Sequence, residues 1–199
     1  MPLKSPELTK FTTVSPVLAN FDYNDIARGI GYETYYLIQS QDSGGTTYLL
    51  TPNTDYSSEM TFKQVGSGTA DQDFDLSPYG IARTIDGIVT FSAGVYRADA
   101  PDTTTFTAEL YKYDGSTETQ LGSTVTYTPN LNTGSTKMIY FRFSITNQIM
   151  PVGMILRLRV RIVETSGNTA HLGTDPAGRS NASFVTTTSK LTVPYKLDI

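Results

Sequence analysis

"MILRLRVRIVE", residues 154–164, sets Arg157, Arg159 and Arg161 two residues apart, with Leu156, Leu158, Val160 and Ile162 alternating around them. A β-strand turns successive side chains to opposite faces, so the cations share one face and the aliphatics the other. Antiparallel sheets commonly bury one face and wet the other, and that arrangement accounts for every residue in the row.

The same period of two recurs on the N-terminal side of this strand. In "KMIYFRFSIT" (137–146), Ile139, Phe141, Phe143 and Ile145 face one way, and Met138, Tyr140, Arg142 and Ser144 the other. "ARTIDGIVTFSAGVYRA" (82–98) puts Ile85, Val89, Phe91, Ala93 and Val95 on one face. Within 103–128, Asp114-Gly115 stands between two alternating segments, the pattern of a hairpin turn. Further strands are predicted at 31–40, 46–50, 59–65 and 190–199. The one helical pattern is "NFDYNDIARG" (20–29), opened by an Asn/Asp cap and stopped by glycine. About eight to ten strands at roughly ten-residue spacing describe an antiparallel sandwich or barrel. The expected architecture is all-β: a single-domain antiparallel β-sandwich, jelly-roll-like, over residues 20–199. Residues 1–19 carry Pro2, Pro6 and Pro16 without periodicity and predict an extended N-terminal arm. Leu8, Phe11, Val14, Val17 and Leu18 make that arm apolar enough to lie on its own domain or on a neighbour.

Composition narrows the function classes. The 199 residues hold 15 Lys+Arg against 19 Asp+Glu, net charge −4, whereas a dedicated nucleic-acid binder usually presents a clearly basic domain. There is no cysteine, hence no disulfide framework and no thiolate ligand or nucleophile, and a single histidine, His171, excludes a multi-His metal site within one chain. The N-terminal "MPLKSPELTKFTTVSP" lacks the apolar core of a secretory signal. No apolar run reaches the roughly 18 residues of a membrane span. The expectation is a protein made in a cytoplasm, bound to neither nucleic acid nor membrane.

The candidate sites differ in their residue chemistry. An anion site at the arginine row calls for interleaved aromatics and a basic surround, and neither is present. Glu109, alternating with Thr107 and Tyr111, is a plausible cross-strand partner for the row. Asp71, Asp73 and Asp75 alternate like the start of a calcium loop. Leu76 and Ala82, however, occupy the positions where an EF-hand needs glycine and glutamate, so the trio is read as charge guarding a strand edge. His171 lies near Asp175 and Arg179, but "GTDPAG" is turn chemistry, and no catalytic unit is assigned. Thirteen tyrosines, clustered at Tyr32, Tyr35 and Tyr36 and at Tyr111 and Tyr113, leave sugar stacking open as a second reading, although tryptophan is absent.

"NFDYNDIARGIGYETYYLIQSQDSGGTTYLLTPNT", "AELYKYDGSTETQLGS", "GMILRLRVRI", "HLGTDPAGR" and "LTVPYKLDI" together resemble small virion proteins of tailed bacteriophages. The resemblance implies a jelly roll similar to capsid decoration (cement) proteins, which sit as homotrimers on the major capsid protein at the exterior of the virion. On this reading the protein is no enzyme and needs no cofactor or metal. Its interaction residues are expected among Arg157, Arg159, Arg161, Tyr35, Tyr36, Tyr111 and, on the arm, Phe11. Part of the arginine face is expected to meet acidic or carbonyl acceptors of the same or a neighbouring chain. The alternative is a head-fibre or tail protein that binds a host-surface glycan.

Overall fold

The computed structural model describes residues 30–42, 45–54, 62–97, 102–131, 134, 136–165, 169–179 and 188–196. The arm at 1–19 with Phe11, the helix expected over 20–29, and residues 59–61 of the expected third strand lie outside the described residues. The described residues form twelve strands and no helix: β1 (Ile30–Asp42), β2 (Gly45–Thr51), β3 (Phe62–Val65), β4 (Gly68–Leu76), β5 (Arg83–Arg97), β6 (Asp102–Tyr113), β7 (Glu118–Tyr127), β8 (Asn130–Leu131), β9 (Thr136–Met150), β10 (Ile155–Glu164), β11 (Ala170–Gly173) and β12 (Lys190–Lys196).

Hydrogen bonding links the strands into one path, β3-β11-β5-β12-β1-β2-β4-β10-β6-β7, with β9 added to β5 and β8 to β6. The path is folded on itself. No helix among the described residues covers a sheet face. The inward rows of β10 (Leu156, Leu158, Val160, Ile162), β6 (Phe106, Ala108, Leu110) and β9 (Ile139, Phe141, Phe143, Ile145) nevertheless share one buried core with Phe91, Phe74 and Leu37. Only a second layer of the same sheet can bury them. The first layer is β9-β5-β12-β1-β2, with β11 and β3 continuing beside β5, and the second is β4-β10-β6-β7 with β8. The result is a jelly-roll-like β-sandwich.

The layers meet at two edges. At one, β7 lies against β9, and Gly122 shows how closely: with φ +71°, a Cβ there would stand 3.0 Å from Ile145 Cδ1 and 3.3 Å from the Ser144 carbonyl oxygen. At the other, β2 and β4 run parallel and share two residue pairs, Leu49↔Asp75 and Leu50↔Leu76. This parallel bridge departs from the wholly antiparallel sheet expected from sequence, and the other strand pairs among the described residues run antiparallel. Its brevity has a local cause. Immediately beyond it the two chains carry Pro52 and Pro78, and a proline has no N–H to extend a ladder. The strands diverge there, leaving a wedge between the layers.

Pro194 is accommodated within β12 in the same way: the β12–β5 ladder is interrupted between Thr192 and Tyr195. Opposite it, β5 carries a bulge at Gly87 (φ +130°), where a Cβ would stand 3.2 Å from Pro194 Cγ. Two irregularities placed side by side leave both strands otherwise continuous.

Candidate functional site

Three features of the sandwich carry chemistry or surface character: the outer face of the second layer, the wedge beyond the parallel bridge, and the end of the sandwich where β5 begins and β9 ends.

On the outer face, β10 lies between β4 and β6. Register places Arg157, Arg159 and Arg161 opposite Asp75, Asp73 and Asp71 on one side and opposite Tyr111, Glu109 and Thr107 on the other. Each guanidinium forks onto its own aspartate. Arg157 donates from Nε and Nη2 to Asp75 at 2.6 Å each, Arg159 to Asp73 at 2.6 and 2.9 Å, and Arg161 to Asp71 at 2.6 and 2.9 Å. Glu118 of β7 reaches across to bridge Arg157 (2.5 Å) and Arg159 (2.8 Å). The Arg157 guanidinium also lies 3.9 Å over the Tyr113 ring, and that of Arg159 lies 4.9 Å from the Tyr111 ring centre.

The charges shift one another accordingly. The bond from Arg161 holds the Asp71 carboxyl below its ordinary value, and the bond from Arg159 does the same for Glu118. The bonds to Asp75 and Asp73 push Arg157 and Arg159 further up. Tyr111, which donates to Glu109 at 2.8 Å, is raised by partial burial and then by that bond.

The expected acceptors of the arginine row are thus carboxylates of the same chain, and the row is a structural ladder. Two sequence expectations are refined. Among the described residues β4 is bridged on the side away from β10 only at Asp75 and Leu76, so the aspartates do charge a largely open edge, and they also neutralise the arginines. The cross-strand acid expected from Glu109 is supplied instead by the aspartates and by Glu118, while Glu109 accepts from Tyr111 and from Thr124 at 2.7 Å. Among the described residues no three His, Cys, Asp or Glu side chains converge where a metal ion could sit.

The tyrosines expected as exposed platforms divide. Tyr35 is buried and Tyr36 half-buried, so Tyr35 offers no open ring face. Tyr35 instead belongs to a polar relay at the base of the wedge. Its hydroxyl donates to Glu33 Oε2, and Arg83 Nη1 donates to Glu33 Oε1. The Tyr35 and Tyr195 hydroxyls are 3.1 Å apart, and those of Tyr195 and Tyr79 2.6 Å. A phenol has one proton. With that of Tyr35 given to Glu33, Tyr195 must donate to Tyr35 and Tyr79 to Tyr195. The relay therefore runs one way, and Tyr79 Oη ends it with acceptor capacity only. Burial, the largest cause in each case, raises all three phenols well above their ordinary value of 10. Burial works against the Arg83 charge, but the bond and charge of Glu33 outweigh it and raise the guanidinium.

Above this relay opens a cleft of about 650 Å³, lined by Glu33, Arg83 and Tyr79 together with Pro52, Pro78 and Ile81 among others. It is the wedge that the two prolines hold open. Sequence reading missed it, because Glu33, Tyr79, Arg83 and Tyr195 are brought together from β1, the β4–β5 connection, β5 and β12.

Beside the cleft lies an apolar end. The last β5–β9 pair is Arg83↔Met150, and Ile81 and Val152 lie two residues beyond it on the two chains. Hydrogen bonds from Tyr79 N to Met154 O (2.9 Å) and from Gly153 N to Tyr79 O (2.8 Å) hold these segments together. Ile149 faces Thr84 one pair back. Ile81, Ile149 and Val152 are 64%, 57% and 65% exposed.

His171 is buried with its ring 5.5 Å from that of Tyr96, while the Asp175 carboxylate takes Ala177 N (3.2 Å) and the Arg179 side chain (2.9 Å). The "GTDPAGR" segment is a turn, as its sequence indicates. The serines that the sequence offers as nucleophiles near His171, Ser166, Ser180 and Ser183, lie outside the described residues.

No protein-family model matches the chain, and no curated protein matches it. Solved structures do. An α-amino acid ester hydrolase matches over 81% of this chain and 36% of its own, with TM-score 0.60 and 11% identity. A CocE/NonD family hydrolase from Staphylococcus aureus matches over 84% and 37%, with TM-score 0.57 and 11% identity. An aminopeptidase from a marine sediment archaeon of the Thaumarchaeota matches over 82% and 37%, with TM-score 0.54 and 6% identity. The chain spans little more than a third of these proteins' length, and at such identities the likeness is one of fold.

Proposed function

We propose that the chain is a non-enzymatic structural protein of a phage particle, a decoration protein that docks on the major-capsid lattice from outside as a homotrimer and stabilises it. The observation that supports this most is the apolar end. Three aliphatic side chains at this end, Ile81, Ile149 and Val152, are each more than half exposed, and apolar surface left exposed in this way is the kind that marks a protein contact. The arginine face supports it differently. Its cations are already forked onto carboxylates of the same chain, so it offers a stiff, neutralised surface and no vacant anion site.

Ile81→Asp with Val152→Asp alters only exposed positions. The double variant is expected to keep its fold but to lose co-sedimentation with expanded capsids, and with it the rise in capsid melting temperature that the unaltered protein gives. Equal binding by the double variant, or capsids equally robust without the protein, would refute the docking.

Binding of a host-surface glycan is favoured by a separate observation, the cleft above the tyrosine relay, which joins a charged pair to aliphatic walls. A glycan array separates the two readings, since a lattice-bound cement protein needs no sugar.

A further inference from the structure

We infer that the wedge between β2 and β4 is a binding site for a neutral sugar ring, with a vicinal pair of hydroxyls seated on Glu33 and Arg83. This rests on the glycan-binding reading and assigns it to particular residues. The cleft, at about 650 Å³, falls within the roughly 300–1,000 Å³ of small-ligand sites, and it is built by the backbone, because Pro52 and Pro78 stop the parallel ladder after two pairs.

Its electrostatics select against charge. Glu33 and Arg83 form an ion pair with side chains 12% and 27% exposed, so the polar wall is neutral overall. An anionic ligand would face the carboxylate and a cationic ligand the guanidinium, each at close range in a partly desolvated wedge.

What the wall does offer is a fixed alternation of acceptor and donor. A carboxylate can accept about four hydrogen bonds and a guanidinium can donate five, so each retains capacity after the bonds to Tyr35 and between the pair. One hydroxyl of a diol can donate to Glu33 while its neighbour accepts from Arg83. The relay adds a third point, since Tyr79, which lines the cleft, ends it as an acceptor and can accept a hydrogen bond from a ligand hydroxyl. The positions are held firmly: Glu33 is anchored by Tyr35, and the Arg83 guanidinium lies 5.0 Å from the centre of the Tyr195 ring. The aliphatic part of the lining, with Pro52, Pro78, Leu49 and Ile81, suits the C–H face of a pyranose. A ligand with hydroxyls along one side and an apolar face on the other matches this arrangement.

The test is saturation-transfer NMR on the full chain with glucose, galactose, mannose and N-acetylglucosamine, and with glucuronic acid as the charged comparison. Two variants accompany it. Ser77→Trp fills the cleft from an exposed rim position, and Arg83→Lys keeps the charge but loses the planar fork. At least one neutral sugar is expected to bind, with saturation of its ring C–H protons. Ser77→Trp should abolish the signal and Arg83→Lys weaken affinity by about tenfold, with an unchanged amide spectrum elsewhere. A neutral sugar that binds the unaltered protein and Ser77→Trp equally well would overturn the cleft assignment while leaving a glycan-binding role in place. Preference for glucuronic acid would overturn the neutral-diol chemistry. Absence of any signal, together with an empty glycan array, would remove the site and the glycan reading together.

Discussion

Raising the pH should unfold this protein through the tyrosine relay. Tyr35, Tyr79 and Tyr195 are buried, and in the folded chain all three phenols are held well above the value of 10 at which an exposed tyrosine ionises. Above about pH 10 the unfolded chain therefore releases three protons that the folded chain retains. A group whose folded pKa is raised contributes stability that is complete below its unfolded value and is lost as pH rises towards the folded one. Each retained proton costs about 1.4 kcal/mol per pH unit, so three cost roughly 4 kcal/mol per unit at the limit. A domain stable by about 5–15 kcal/mol would exhaust that margin within a few pH units. Urea unfolding at stepped pH, followed by circular dichroism with tyrosinate absorbance in parallel, measures both quantities. The folded protein should show a late tyrosinate fraction, from Tyr35, Tyr79 and Tyr195, that appears only as structure is lost. Tyr195→Phe removes the central link, so it should lower stability at neutral pH by about 1–3 kcal/mol and make the alkaline slope shallower. A single titration of all tyrosines near pH 10 in a still-folded protein, or a flat stability through that range, would refute the directional relay.

Other perturbations follow from the same geometry. Asp71 and Glu118 lie below their ordinary values of 3.8 and 4.5, so their contribution is complete above about pH 4.5 and lost as pH falls through the lowered values. Urea midpoints should decline there, and Glu118→Gln should blunt the decline. Arg159→Glu sets a carboxylate against Asp73 and Glu118 and should cost about 2 kcal/mol, less at high salt, as thermal melts at two ionic strengths would show. Gly122→Ala places a methyl group against the Ser144 carbonyl at a left-handed φ and should lower Tm by several degrees, the equivalent of about 1–2 kcal/mol.

The strands that could be read from sequence were those with one buried face. In β9 and β10 the alternation survives residue by residue: Ile139, Phe141, Phe143 and Ile145 are buried, as are Leu156, Leu158, Val160 and Ile162. Continued two residues further, the same alternation places Glu164 inward. It is fully buried there, accepting from Thr104 Oγ1 at 2.5 Å and lying 3.7 Å from the buried Arg97. The acid partners of the arginine row could not be read in this way. A period fixes which face a side chain takes but not which strand lies beside it, and the choice of β4 over other acid-bearing strands is a matter of topology. The cleft was hidden for a related reason: Pro52 and Pro78 each read as a loop, and only the parallel pairing of β2 with β4 makes them two sides of one opening. Tyr35 was misplaced because tyrosine suits a wet rim and a buried relay equally, and the partner that decides between them, Tyr195, lies 160 residues away.

The parallel bridge also gives the sandwich a direction of mechanical weakness. Along β5 and β9, thirteen residue pairs run side by side, and a force parallel to those strands must shear all of them at once. At β2 and β4, only Leu49 and Leu50 are paired, and a force that parts the layers there loads two pairs and then none. A particle protein attached by its apolar end, beside that bridge, would carry lattice strain well when pulled along its strands and poorly when its layers are peeled apart. For such an attachment, orientation would matter as much as the strength of binding.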